Sequence, residues 1–248
     1  MKTKIDIRNL KKVFIQKDEA LEVLKDIDIS VCKNQFVTII GPSGCGKSTI
    51  LRILAGLEKD FMGDIFVEGL ELKKYRKKFC YMPQKDLLMP WRTVYKNIVL
   101  PLEIDGHMDK MQELPQLIED FGLGGFEDYY PRQISGGMKQ RVGLLRTFLM
   151  GGDIMLLDEP FGALDAITRI KMQKWLLKVL ARYKKTVLFV THSIEEAITL
   201  SDRVYILSDR PAAVVREIDI ELPQPRTGGI IPTDKFTKYR ESILEALI

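Results

Sequence analysis

The chain has 248 residues, 46% of them hydrophobic, with 38 basic against 34 acidic side chains and a formal charge of +4. This length buries a full core and allows one large domain or two small ones, while so mild a charge leaves no footprint for nucleic acid. Cys32, Cys45 and Cys80 form an odd, unclustered set that supports neither a disulfide framework nor a zinc site, and no apolar run approaches the ~18 residues that span a bilayer.

The opening MKTKIDIRNL lacks the apolar centre of a secretory signal, so the chain is expected in the cytosol. Ile5 to Leu10, Ala20 to Val31 and Gly63 to Glu68 read as antiparallel strands of a β-rich lobe, with a lengthened turn from Gln16 to Glu22. The apolar, β-branched run FVTII, Phe36 to Ile40, reads as a buried strand. It leads directly into GPSGCGKST, Gly41 to Thr49, which matches the phosphate-binding pattern G-x-x-x-x-G-K-[ST] at every fixed position.

The spelling of that loop follows from its chemistry. A triphosphate is wrapped by backbone N–H groups, and Gly41, Gly44 and Gly46 allow the chain to turn that tightly. Lys47 is placed to reach the β and γ phosphates and the Ser48 hydroxyl to ligate Mg²⁺. Pro42, Ser43 and Cys45 complete the wrap, and Thr49 continues into a helix whose N-terminal dipole favours the anion. A thiol at that dipole is expected to have a lowered pKa, making Cys45 reactive towards alkylators.

Phe79 to Met82 reads as a further strand, and from about Arg92 to Met150 the pattern turns helical, with Val142, Leu145 and Leu149 at helical spacing. An inserted helical subdomain over about 86–150 is expected. Asp153 to Asp158, Thr186 to Thr191 and Arg203 to Ser208 read as strands of a mostly parallel sheet in an α/β fold. Asp165 to Tyr183 reads as a helix packed on that sheet, with Trp175 in the core. PQPRTGGIIP after Leu222 reads as a linker, and Lys235 to Ile248 as a short amphipathic helix. One nucleotide-binding domain over 1–225, followed by linker and helix over 226–248, is the expected organisation.

DIMLLDE, Asp153 to Glu159, is a strand ending in two carboxylates. In phosphate-loop proteins the first, here Asp158, stands at Mg²⁺. Glu159 is then positioned to polarise the attacking water as a general base. ISGGMKQR, Ile134 to Arg141, places a second anion-ready helix start before that strand, for which a single-site ATPase has no use.

With that second motif in place, the chain resembles the ATP-binding cassette family from Asp6 to about Leu222. The resemblance implies that Ser135, Gly136 and Gly137 contact the γ phosphate of ATP held by a second copy of the chain. It makes Gln84 of YMPQ a contact to Mg²⁺ leading to the surface that receives a membrane permease, and His192 a contact to the γ phosphate. Phe14 takes the place of the aromatic that stacks on adenine. Ala163, Leu164 and Asp165 match the loop through which the twin copies communicate, and Met138 departs from the commoner glutamine. His107, the other histidine, reads as solvated.

LLMPWRTVYKNI, Leu87 to Ile98, and RVYILSDRP, Arg203 to Pro211, resemble the importer branch for nitrate, sulfonate and taurine. The implied protein is a peripheral, homodimeric ATPase on the cytoplasmic face of the membrane, binding ATP and Mg²⁺. It would drive permease subunits fed by a solute-binding protein, without nucleic acid. The solute, and import rather than export, stay open at this stage. The rival class is a soluble cassette ATPase acting as an ATP-driven clamp, against which the single cassette and the lack of sustained heptads both speak. A metabolic phosphate-loop kinase leaves Ser135 to Gly137 and His192 unexplained.

Overall fold

A computed structural model describes residues 2–16, 19–106, 111–223 and 233–248. His107 and the Pro/Gly segment 224–232 lie outside the described residues. Two sheets form the frame. The first is antiparallel, ordered β2 (Glu19–Cys32), β1 (Thr3–Gln16), β4 (Met62–Val67), β5 (Leu70–Glu71). The second has six strands, ordered β10 (Val214–Asp219), β9 (Arg203–Leu207), β3 (Phe36–Ile40), β8 (Thr186–Thr191), β7 (Ile154–Asp158), β6 (Phe79–Met82). It is parallel except for β10, which forms a hairpin with β9.

The central strands are apolar on both faces because both faces are covered. Along β7, Ile154 and Leu156 point into the core shared with the antiparallel sheet and α1 (Lys47–Leu54). Met155 and Leu157 point the other way, into the core built by α2 (Val94–Asp105), α3 (Leu114–Asp120), α4 (Gly136–Leu149) and α5 (Ala166–Tyr183). Trp175 lies in that second core, its ring edge-on to Phe121 at 4.0 Å between centroids. A smaller core joins Ile40 and Ile206 to α6 (Ile194–Leu200) and α7 (Asp234–Leu247), so the C-terminal helix docks on the sheet through Phe236 and Ile243. Asp165, Ser135, Ser193 and Thr233 each cap the helix they precede, a contribution of about 1 kcal/mol apiece.

The lengthened turn expected from Gln16 to Glu22 is corrected: β1 runs on to Gln16 and β2 starts at Glu19, with Phe14 opposite Leu21 and Val13 opposite Glu22. Polar residues hid the pairing, because this part of the hairpin faces solvent on one side. Strand β10 also escaped the sequence reading, since its mixed VVREID pattern belongs to a half-exposed edge strand.

An ion cluster ties the two sheets together. Glu68 receives hydrogen bonds from both Lys4 and Lys77, and Lys4 reaches Asp153 beside β7 at 3.5 Å. The two ammonium groups, bonded directly to it, pull the Glu68 carboxyl down from 4.5 to about 2. A carboxyl depressed on folding stabilises the fold above its unfolded value and loses that contribution as pH falls through the folded one. Glu68→Gln is therefore expected to cost about 1 kcal/mol at neutral pH, with the difference from the parent shrinking below pH 4.5 and gone near pH 2, as read by urea unfolding across that range.

Candidate functional site

The parallel register brings the chemistry to one edge. Ile40 pairs with Thr191, Asp158 with Val190, and Met82 with Leu157, so the segments leaving β3, β7, β8 and β6 emerge level at their C-terminal ends. The loop after β3 runs into α1 through Gly46, whose φ of 125° is open to glycine alone and whose missing Cβ would strike Val23 and Leu24 at 2.8 and 2.7 Å. Gly44 also adopts a positive φ, 77°. The loop thus lies flat against β2 while its helix start faces a cleft of about 580 Å³.

Ser43, Gly44, Gly46, Lys47, Ser48 and Thr49 line that cleft. Lys47 is buried, and its Nζ donates to the carbonyls of Gly41 at 2.8 Å and Pro42 at 2.7 Å. Those two residues therefore hold the lysine rather than face the cleft. Ser48 Oγ donates to Asp158 Oδ1 at 2.9 Å. Burial pushes the Asp158 carboxyl up, and the neighbouring Glu159 adds to this, against the Ser48 hydrogen bond and the Lys47 and Arg52 charges. A hydroxyl and a carboxylate oxygen side by side fit Mg²⁺, which takes hard oxygen ligands and keeps several from substrate phosphate and water. Among the described residues no group of three or more His, Cys, Asp or Glu could hold a metal alone, so the remaining ligands would come with the nucleotide.

Glu159 carries the second carboxylate into the cleft from the end of β7. Its backbone is turned to a φ of 47°, with its N–H on Val190 O at 2.9 Å. Its Oε2 lies 3.1 Å from Gln84 Nε2 and 3.3 Å from His192 Nδ1. Residues far apart in sequence and leaving three different strands thus meet at one oxygen. His192 follows β8, and Ser193 behind it caps α6.

Phe14 forms the far wall with Leu21 and Val23. Lys12 Nζ stands 4.5 Å from the Phe14 ring centroid, held by the Asp60 carbonyl at 2.6 Å, so one ring face carries a cation–π contact. Leu21, Val23 and Arg210 also line the cleft and have no place in the sequence reading as site residues. The only signal for them was the SDRP spelling after β9, read as a branch marker, and the pairing of Leu21 with Phe14, hidden by the misplaced turn.

Ser135, Gly136 and Gly137 do not reach this cleft. Ser135 and Gly136 are exposed at the start of α4, where Ser135 Oγ accepts from Met138 N at 3.2 Å. Gln140 Oε1 accepts from Ala163 N at 2.9 Å, which ties α4 to the Ala163–Asp165 loop, and Met138 is buried in the helical core.

The expected reactivity of Cys45 is corrected. Its side chain is 2% exposed and does not line the cleft, and burial pushes the thiol up despite the Lys47 ammonium 4.0 Å away. Desolvation of the thiolate outweighs the helix dipole here. Maleimide labelling of the folded protein, mapped by mass spectrometry, is expected to modify half-buried Cys32 at least about tenfold faster than Cys45, and ATP is expected to leave the Cys45 rate unchanged.

The ABC transporter family model matches residues 24–162. An uncharacterized ABC transporter ATP-binding protein of Methanocaldococcus jannaschii, MJ0412, is 44% identical over 249 residues, spanning 100% of this chain and 92% of its own length. The aliphatic sulfonates import ATP-binding protein SsuB of Bacillus cereus is 42% identical, spanning 97% and 94%. SsuB 1 of Rhodococcus jostii is also 42% identical, spanning 91% and 87%. The dimeric post-hydrolysis structure of the ATP-binding cassette MJ0796 with ADP and Pi matches with a TM-score of 0.79 at 27% identity, over 88% of this chain and 100% of that one. A phosphate loop, paired acids, a histidine and an exposed Ser-Gly-Gly on a cassette fold, with relatives that span the whole chain, make one assignment: the chain belongs to the ABC transporter family as an ATP-binding, ATP-hydrolysing subunit.

Proposed function

We propose that this chain powers import of an aliphatic sulfonate or a chemically similar small anion, as a homodimer on the cytoplasmic face of permease subunits supplied by a solute-binding protein. The observation that carries the catalytic part is the meeting of Gln84, Glu159 and His192 at the lip of the phosphate-loop cleft. The solute class is supported by SsuB relatives that cover nearly the whole chain. Among the described residues no helix is long and apolar enough to cross a membrane, so membrane attachment in this reading is through partners.

The phosphates of ATP enter between Lys47 and the loop N–H groups, and the Lys47 ammonium, still resting on the Gly41 and Pro42 carbonyls, reaches the β and γ oxygens. Ser48, Asp158 and the amide oxygen of Gln84 would hold Mg²⁺, which supplies charge neutralisation when bound. Phe14 offers its free ring face to adenine. Glu159 accepts the proton of the attacking water, while Gln84 and His192 hold its carboxylate in place. Ser135 and Gly136, exposed, with half-buried Gly137 beside them, all away from their own cleft, close the cleft of a second copy. The electrostatic work is then shared between two chains.

Two expectations follow from these roles. Glu159→Gln keeps the shape and the Gln84 contact but removes the base, so hydrolysis is expected to fall by about 10²–10⁴-fold while ATP binding persists and a stable dimer accumulates on size-exclusion chromatography. A Glu159→Gln protein that hydrolyses at the parental rate would remove Glu159 from its role. Trp91 is 73% exposed beside Leu87 at 60%, on the segment that follows Gln84. Tagged Glu159→Gln purified from solubilised membranes with ATP is expected to bring down a multi-span permease, and the added Trp91→Ala change is expected to abolish that recovery without altering ATP binding. Recovery of soluble partners alone would favour the ATP-driven clamp.

A further inference from the structure

One charged side chain of the cleft takes no part in the roles above. Arg210 stands on the segment between β9 and β10, and its Nε donates to the Gly44 carbonyl at 3.1 Å while a second guanidinium nitrogen donates to the same oxygen. The side chain is exposed, but the backbone beneath it is fixed. Ala212 N donates to Val23 O at 2.9 Å, and Lys25 N donates to Ala212 O at 2.8 Å, a parallel bridge of this segment to β2. Ser208 N and Ala213 O, and Ala213 N and Ser208 Oγ, close the turn at 3.0 Å each. Ala212 is fully buried in the core that also holds Val23, Leu24 and Cys45.

The segment therefore runs beside the cleft like a strap, tied to β2 at Ala212 and to the phosphate loop at Arg210. It holds the wall beside Phe14 through Val23 and holds the phosphate loop through Gly44. A peptide unit is planar, with its C=O and N–H pointing in opposite directions, so a hold on the Gly44 carbonyl also sets the direction of the Cys45 N–H. Among the described residues that N–H makes a long bond, 3.4 Å to Pro42 O. Gly44 sits at a φ of 77° with the conformational freedom of glycine, so nothing in its own side chain fixes this peptide. A planar guanidinium that keeps its charge, with several donors in a fixed fork, suits that task better than an ammonium.

We propose that Arg210 is a positioning residue of the nucleotide site, orienting the Gly44–Cys45 peptide from outside so that the loop is preset for polyphosphate, and thereby setting affinity for the phosphate end of ATP without touching the base. This rests on the reading of the cleft as the ATP site.

The test compares the parent with Arg210→Ala, Arg210→Lys and, as a control on the site itself, Lys47→Ala. The readouts are KM and kcat for ATP and the inhibition constant of adenosine, which carries the base but no phosphate. Arg210→Ala is expected to raise KM for ATP about 5- to 20-fold, the range for losing a charge-assisted hydrogen bond. The adenosine constant and kcat are expected to move less than about twofold to threefold, and Arg210→Lys to recover less than half of the loss, because the charge returns but the fork does not. A general loosening of the fold would weaken ATP and adenosine alike, and that result overturns the proposal. So does an unchanged KM in Arg210→Ala, or full rescue by lysine. If Lys47→Ala also binds ATP as the parent does, the site reading fails. If Lys47→Ala loses ATP while both Arg210 variants keep it, only the role of Arg210 fails.

Discussion

A loop that wraps an anion with its N–H groups must turn its carbonyls outward, and each outward carbonyl needs a partner. This constraint organises the molecule. The Gly41 and Pro42 carbonyls rest on Lys47, and the Gly44 carbonyl rests on Arg210. Gly41 and Gly46 are pressed so closely against Leu207 and against Val23 and Leu24 that a Cβ at either position would fall 3.1 Å or less from a neighbouring side chain. The loop is consequently held from β9 on one side and β2 on the other. That is possible because β3 is central in the parallel sheet and the antiparallel sheet packs directly on its face. The same central position puts β8 beside β3 and β7 beside β8, which delivers His192 and Glu159 to the loop without any long excursion of chain.

Much of this was legible in the sequence because the constraint is spelled in residue types. The three glycines and Lys47–Ser48 name the loop, and the apolar strands before Gly41, Glu159 and His192 name the sheet that carries them. The antiparallel lobe was legible as strands but not in its pairing. Residues 13–16 and 19–22 pair half in solvent, where Glu19 and Glu22 break the apolar alternation, so the sequence reads as a turn where strand continues. The reactivity of Cys45 was misjudged for a different reason. The dipole of α1 is inferred from local sequence, but the burial that outweighs it belongs to a core shared with Leu207, Val23 and Leu24, residues distant along the chain. Arg210 was visible as a spelling and not as a contact, since only the fold sets the strap against Gly44.

In the proposed reading the site of one chain is completed by a second copy. Lys47, Asp158 and Glu159 supply a cation and two carboxylates, while Ser135 and Gly136, with the N-terminal end of α4, stay in solvent at a distance from all of them. Gly136 has no neighbour within 4 Å of a would-be Cβ, so no packing within the chain demands glycine there. Gly137 is different, since a Cβ would meet Leu164 at 3.3 Å, and it keeps α4 close to the Ala163–Asp165 loop. A glycine without an internal reason, at the start of a fourteen-residue helix, is accounted for in the proposed reading by close approach of a second molecule's phosphate.

Helix α4 also bears on how such a closure would be felt elsewhere. Arg146, near its far end, donates to the carbonyls of Asp86 at 2.8 Å and Leu87 at 3.1 Å. Asn97 on α2 is fully buried and binds the same segment from the other side, donating to Met89, Arg92 and Thr93 carbonyls at 3.0–3.1 Å and accepting from Met89 N at 2.8 Å. Leu87 and Trp91 are therefore exposed apolar side chains on a backbone that is pinned from beneath, and an aromatic held outward in this way is the mark of a contact surface rather than of a loose loop. That segment begins at Gln84, on the carboxylate of Glu159. One rigid helix thus touches, at its start, the face proposed to meet a second ATP site and, near its end, the segment proposed to meet the permease. In the proposed reading α2 and α4 would have to turn together to carry both faces, because Arg146 on α4 and Asn97 on α2 each hold the backbone of the segment.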